Sequence, residues 1–412
     1  MSKIEELIEK LCPNGVEFKK LEEITKSINI GINPRKFFKL NPADSTGFYV
    51  TVRELNGLKG VKEYEKTDKI NDEAIQIINN RANIEKGDIL FSNTGTVGKL
   101  ALVNETPTNW GVNEGIYIIK PIEEKILSRY LYYYLDSSHA YKDYSSKFTG
   151  STLKHVTQKA LASLIVAVPP LEVQCEIVHI LDDFTLLSAL LSAELKARQK
   201  QYEYYNCNLL KFENIPYYTL EELCDIVDYR GKTPKKTNEG IFLVTAKNIR
   251  KGYIDYEKSQ EFISEQDYAE VMRRGMPKVG DVLITTEAPC GNVAQVDDEN
   301  IALAQRVIKY RPKDNRLDST FLKYILLGEE FQTKLNGKAT GGTVKGIKGS
   351  ILHKLTIPLP SIEEQRKIVK ILDRFNKLCN DISEGLPAEI NARQKQYEYY
   401  RDKILTFKMI GD

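Results

Sequence analysis

"ARQKQYEYY" runs from Ala197 to Tyr205 and returns unchanged from Ala392 to Tyr400. Nine identical residues do not recur by chance in a chain of 412, so a longer repeat is sought before anything else. Upstream, "VPPLEVQCEIVHILDDF" (Val168–Phe184) matches "LPSIEEQRKIVKILDRF" (Leu359–Phe375). Gln174 falls on Gln365, an offset of 191 (365 − 174), whereas the quoted stretch is offset by 195 (392 − 197). The second copy has therefore gained four residues (195 − 191), near "SEGLPAE" (Ser383–Glu389). Downstream, "LLKF" (Leu209–Phe212) faces "ILTF" (Ile404–Phe407).

The repeated segments read as helices. From Leu171 to Phe212 there is no proline or glycine, and apolar residues recur at Ile177, Leu181, Phe184, Leu187, Leu191, Leu195, Tyr202, Tyr205 and Leu209. Steps of three and four mark a helix with one buried stripe. About 40 helical residues reach roughly 60 Å, too long for burial in one globular core. The second copy carries Ile368, Leu372, Phe375, Ile382, Ile390, Tyr397, Tyr400 and Ile404. Two such helices can hide their stripes against each other as a coiled coil. Gly385 and Pro387 fall inside the second copy and predict a stop and restart, with a single kinked helix as the alternative.

Between the helices lie weaker echoes. "KGDILFSNTGTVGKLALV" (Lys86–Val103) resembles "VGDVLITTEAPCGNVAQV" (Val279–Val296), aligning Asp88 with Asp281 and Gly98 with Gly291. "TLKHV" (Thr152–Val156) resembles "TVKGI" (Thr343–Ile347), and "FKKLEEI" (Phe18–Ile24) resembles "YYTLEEL" (Tyr217–Leu223). Short β-branched runs such as "GFYVTV", "DILFS", "GIYIIK", "IFLVTA", "DVLITT" and "RVIKY" read as strands, with helices at "SRYLYYYLDS" and "STFLKYILLG". The expected fold class is α+β: two mostly-β globular domains, 1–168 and 213–358, joined by two long helical regions, 169–212 and 359–412, as an internal repeat.

No apolar run approaches the roughly 20 residues of a membrane span, and "MSKIEELIEKL" is an amphipathic helix without a signal peptide's apolar stretch; a cytoplasmic location is expected. The six cysteines and four histidines are unclustered, which argues against a metal site and for reduced packing thiols. A net charge of +2 neither supports nor excludes nucleic acid, so local charge must decide. Loops hold clustered basic and amide residues: "GINPRKFFK" (Gly31–Lys39), "TVREL" (Thr51–Leu55), "DYRGKTPKKTNEG" (Asp228–Gly240) and "TAKNIRKG" (Thr245–Gly252). Such side chains meet phosphates and base edges, although any one cluster reads equally as a solvated loop. Arg53 aligns with Lys247. "GTVGKL" (Gly95–Leu100) is not a nucleotide-binding loop, because Asn93 stands where glycine is needed and Leu100 where serine or threonine is needed. "GGTVKGIKGS" fails likewise at Ile347, and no methyltransferase, hydrolase or paired-histidine motif is present.

Two divergent domains alternating with near-identical helices resemble the specificity subunit of type I restriction-modification enzymes. The paired helix openings, the doubled nonapeptide and the "KGDIL"/"VGDVL" strands carry that resemblance over almost the whole chain. It implies two target recognition domains, each reading half of a split, asymmetric site on double-stranded DNA. It implies two long antiparallel helices, related by an internal pseudo-twofold, that act as a ruler and dock two methyltransferase subunits, with restriction subunits completing the complex. The chain itself is then non-catalytic and needs no cofactor; S-adenosylmethionine, ATP and Mg belong to its partners, and no membrane is involved. Loop position and chemistry select Arg35, Lys36, Arg53, Asn93, Thr94, Lys99 and Lys154 as DNA-binding candidates in the first domain. In the second they select Arg230, Lys232, Lys235, Lys236, Lys247, Asn248, Arg250, Thr286, Asn292 and Lys345. A non-enzymatic coiled-coil scaffold that binds proteins without DNA is the alternative, and a cryptic metal-dependent nuclease is a third reading.

Overall fold

The computed structural model describes residues 3–33, 37–150, 153–229, 234–342, 344–380 and 384–411. It divides into two compact units: residues 1–192 together with 390–412, and residues 193–389.

The first unit begins with helix α1 (Lys3–Leu11) and strands β1 (Glu17–Lys20), β2 (Thr25–Ile30), β3 (Gly47–Val50) and β4 (Lys69–Ile70). Helix α2 (Asp72–Ala82) follows, then β5 (Ile89–Ser92), β6 (Leu100–Leu102), β7 (Trp110–Val112) and β8 (Ile116–Pro121). Helices α3 (Ser128–Leu135), α4 (Ser138–Ser146) and α5 (Gln158–Ala162) lead through β9 (Ile165–Val168) into α6 (Leu171–Leu209). The second unit takes over the last part of α6 and repeats the plan. Its elements are β10 (Tyr217–Thr219), α7 (Leu220–Leu223), β11 (Cys224–Asp228), β12 (Ile241–Val244), β13 (Phe262–Ile263), α8 (Glu265–Val271), β14 (Val282–Thr285), β15 (Val293–Gln295), β16 (Ile301–Leu303) and β17 (Val307–Pro312). Then come α9 (Ser319–Leu327), α10 (Glu329–Lys338), α11 (Gly349–Leu352), β18 (Thr356–Pro358) and α12 (Ile362–Asn380). The chain ends with α13 (Leu386–Ile404), most of which returns to the first unit. The stop and restart expected at Gly385 and Pro387 is present between α12 and α13.

Each unit has the same three sheets. In the first the orders are β2-β8-β5-β6, β4-β3-β7 and β1-β9; in the second, β11-β17-β14-β15, β13-β12-β16 and β10-β18. The four-stranded antiparallel sheet is apolar on both faces, because side chains alternate across a strand and both sides are covered. Ile89, Phe91, Tyr117 and Ile119 join the core under the helices, while Leu90, Ile116 and Ile118 join the core under the small sheet. Val282, Ile284, Ile308 and Tyr310 divide from Leu283 and Val307 in the same way.

The aspartate of each "GD" pair explains why that motif recurs. Asp88 accepts the Glu85 N–H and, 2.7 Å away, the ammonium of Lys120 on β8. Asp281 accepts the Lys278 N–H and a two-pronged contact from Arg311 on β17, at 2.6 and 2.7 Å, with Lys309 at 3.4 Å. Burial pushes the Asp88 carboxyl above, and the Lys309 ammonium below, its ordinary value.

The glutamines of the repeated "Q" position join helix to domain. Gln174 on α6 accepts the Leu127 N–H and donates to the carbonyls of Lys125 and Pro169. Gln365 on α12 does the same with Asp318, Arg316 and Pro360. Two turns further, Tyr133 donates to Asp182 and Tyr324 to Asp373.

Within each unit one long helix leaves the domain and the other arrives, so the pair is antiparallel. In the first unit α6 starts at Gln174, and α13 ends where the Asp402 carboxylate accepts the Ser138 N–H and Arg401 pairs with Asp136. Phe184 stacks on Tyr400, with centroids 5.8 Å apart and rings 25° from parallel. In the second unit α12 starts at Gln365, α6 arrives at Leu210, and Phe375 stacks on Tyr205 at 5.3 Å and 27°. The expected stripe on α6 is only partly covered: Leu187 is exposed, as are Leu186 and Leu190.

One connection differs. In the second unit the chain runs directly from α6 into β10. In the first, the end of the chain meets its beginning without a peptide link: the Val16 N–H donates to Lys408 O and the Ile410 N–H to Val16 O. Gly15 is required there, since at φ +95° an added Cβ lies 2.6 Å from the Lys408 carbonyl oxygen.

Candidate nucleic-acid interface

Beyond β5 of the first unit, residues 93–98 form a loop fixed from inside. The buried Asn93 amide donates to Glu114 O, the Ser92 hydroxyl donates to Thr96 O, and the Gly98 N–H donates to Ser92 O. Gly98 sits at φ +90°, with the Tyr144 hydroxyl where a Cβ would stand, so its recurrence as Gly291 (φ +88°) is a packing and backbone requirement. A second loop closes on itself through two hydrogen bonds between Thr149 and His155. The loops are fastened together: the Gly95 N–H donates to Lys154 O, the Val156 N–H to Asn93 O, and the Thr94 hydroxyl lies 2.9 Å from His155 Nδ1.

The second unit builds the same pair of loops after β14. Thr340 and Gly346 exchange two hydrogen bonds, the Ile347 N–H donates to Thr286 O, and the Gly291 N–H donates to Thr285 O. Between them opens a groove of about 400 Å³ lined by Thr286, Glu287, Gln305, Arg306, Thr340 and Lys348 among others. Arg306 Nε lies 2.5 Å from Glu287 Oε1 on its rim.

A third loop also repeats. Thr51 and Glu54 close a turn in which the Thr51 N–H and hydroxyl donate to Glu54 Oε2; Thr245 and Asn248 close the same turn with an amide oxygen. Burial raises the Glu54 carboxyl, but hydrogen bonds from Thr51, Arg53 and Thr67 outweigh it and hold the carboxyl below its ordinary value.

These contacts sort the candidate residues. Arg35, Lys36, Arg230 and Lys232 lie outside the described residues. Asn93, Asn248, Thr286 and Asn292 belong to the framework: Asn248 donates to Asp255 O and Lys258 O, the buried Thr286 donates to Arg306 O, and Asn292 donates to Ile249 O. Lys99 is tied down as well, its ammonium donating to the carbonyls of Val52 and Arg53. Arg53 is bound to Glu54 and Lys66 O, Lys236 pairs with Glu261, and Arg250 pairs with Asp255. Lys154, Lys235, Lys247 and Lys345 are exposed cations, Lys154 standing over the Phe148 ring. Thr94 sits on the rim between the loops. Sequence reasoning passed over His155, Glu287, Arg306 and Lys348. The "TLKHV"/"TVKGI" echo pointed to the loop, but Arg306 stood inside an apparent strand. Among the described residues, no group of three or more His, Cys, Asp or Glu is placed to hold a metal ion.

Two copies of one loop framework with different side chains on it meet a matching result from comparison with known proteins. The family model for the type I restriction modification DNA specificity domain matches residues 13–198 and again 213–392. The chain belongs to the type I restriction-modification specificity family. The chain is 34% identical over 303 residues to the type I restriction enzyme EcoR124I/EcoR124II specificity subunit of Escherichia coli, covering 69% of this chain and 72% of that one. It is 28% identical over 418 residues to a putative type I restriction enzyme specificity subunit of Haemophilus influenzae, covering 97% and 98%. In fold it matches a chain from a structure of type I R-M complex assembly, with a TM-score of 0.64, 20% identity and 95% and 98% coverage. It also matches the HsdS subunit of Thermoanaerobacter tengcongensis, with a TM-score of 0.51, 20% identity and 97% and 98% coverage. This specificity chain is thus a DNA-recognition component of such a system, and none of its described helices is long and apolar enough to cross a membrane.

Proposed function

We propose that each unit binds one half of a bipartite, asymmetric site on double-stranded DNA, and that the paired long helices set the spacing between the halves. The observation that carries this reading is the repeated loop framework: Gly98 and Gly291, Thr149 and Thr340, and the reciprocal hydrogen bonds are common to both units, while the rim residues differ. Two reading heads with one scaffold and two surfaces suit two unlike half-sites. The exposed lysines at 154, 247 and 345 supply phosphate contacts, which position without specifying.

The helices also present one surface twice. Tyr204 is 66% exposed and Tyr399, the same residue of the repeat, is 62% exposed. Exposed aromatics at equivalent places on both helices suit two identical partners. Those partners are two methyltransferase subunits that use S-adenosylmethionine, with restriction subunits bringing ATP and Mg. The specificity chain catalyses nothing itself.

Single-molecule methylome sequencing of a host carrying the complex tests this directly. One bipartite methylated motif is the expected result, and its absence overturns the reading. Lengthening both α6 and its antiparallel partner by one turn, about four residues and roughly 6 Å, is expected to lengthen the preferred spacer by one or two base pairs. An unchanged spacer removes the ruler.

A further inference from the structure

We propose that Arg306 reads a base edge in the half-site bound by the second unit, and that Glu287 holds it in aim; this rests on the DNA-reading function above. Arg306 stands at the rim of the groove, immediately before β17, and its side chain is 55% exposed. Its backbone holds φ +71°, a conformation uncommon for a residue with a side chain and one that recurs at ligand sites. The backbone is fixed there, because its carbonyl accepts both the N–H and the hydroxyl of Thr286. The guanidinium is fixed too, with Nε held at 2.5 Å by Glu287. Holding Nε sets the plane of the group and leaves the terminal Nη1/Nη2 fork to point away from Glu287. That fork matches the O6 and N7 acceptors of guanine in the major groove. A side chain already ordered by a carboxylate loses less freedom on binding.

Arg311, Lys345 and Lys348 do not share these properties. Arg311 is tied to the buried Asp281, and Lys345 and Lys348 are exposed point charges without a fork. In the first unit, Gly115 and Thr94 take the places of Arg306 and Glu287 by the offsets of 191 and 193 that align the surrounding strands. The first unit therefore lacks this reader, as a different half-site requires. His155 beside Thr94 occupies the position of Gly346.

The test uses the full complex in a host without other adenine methylation, with methylated sites mapped by single-molecule sequencing. In Arg306→Ala, one position of one half-site, a guanine, is expected to lose discrimination by about 10- to 100-fold, while the other half and the spacer stay as they were. Arg306→Lys, which keeps the charge but not the fork, relaxes the same position, and Glu287→Gln relaxes it less. An unaltered motif in both Arg306 variants overturns the proposal. So does complete loss of methylation in both, which makes Arg306 a framework or phosphate residue. So does loss in Arg306→Ala with the original motif kept in Arg306→Lys. A wild-type chain that yields no bipartite motif defeats the DNA-reading function itself, which is a different failure.

Discussion

In the first unit the buried Asp88 faces one lysine across the sheet, Lys120; in the second, Asp281 faces an arginine and a lysine, Arg311 and Lys309. The helix joints, by contrast, are alike down to the atom: Gln174 and Gln365 make the same three hydrogen bonds. At the loop rims the units share almost no side chain, with Thr94, Gly115 and His155 in one and Glu287, Arg306 and Gly346 in the other. Variation is thus graded. It is least where helix meets domain, moderate in the sheet, and greatest where the loops face solvent. A residue held in both units serves the fold, and a residue free to change on the same backbone serves what the unit binds.

The sheet gives the largest expected effect. Asp281→Ala strands two cations, one of them almost wholly buried, and removing one partner of a buried pair costs about 3–5 kcal/mol. Asp88→Ala strands one lysine that still reaches Glu85, so its loss is expected to be smaller. Chemical denaturation of the two variants ranks them, and equal losses break the contrast. Next come the joints. Gln174→Ala and Gln365→Ala each leave a half-buried N–H and two carbonyls without their partner, for about 1–3 kcal/mol apiece. The two losses should agree, and a clear difference between the unfolding transitions shows that the joints are not equivalent. The stacked rings should do less: Phe184→Leu and Phe375→Leu are each expected to cost about 0.5–1.5 kcal/mol beyond lost area, read as a lowered Tm.

The smallest effect separates the units by pH. Glu54 and Asn248 close the same turn, but only Glu54 titrates. Its folded-state carboxyl is held below its unfolded value of about 4.3. Its contribution is therefore present above that value and is lost as pH falls through the lower, folded one. Unfolding measured between pH 5 and 3 should show that decline in the wild type, and Glu54→Gln should flatten it. A decline of unchanged size in Glu54→Gln assigns the acid sensitivity elsewhere.

Much of this was legible because repetition is a strong signal. The doubled nonapeptide located the long helices, the glycine and proline after Ser383 marked the break before α13, and apolar runs such as "DILFS" and "DVLIT" became the two-faced strands β5 and β14. The loops were harder. Asn93 and Asn248 have the chemistry of base readers, yet their amides are taken up by carbonyls that only the fold brings near. Arg306 sits beside an apolar strand, and nothing in its neighbours along the chain shows that Glu287 will hold it.

By itself, then, the sequence determined the helices, the strands and the twofold plan, because periodicity and identity are properties of residues near one another in the chain. Only the tertiary structure decided that most of α13 belongs with the first unit, where Val16 meets Lys408. It alone decided which polar side chains are consumed inside the loops and which are left at the rim. Those outcomes depend on hydrogen bonds between residues from a few to hundreds of positions apart, and burial makes such bonds costly to leave unmade for the polar groups it encloses.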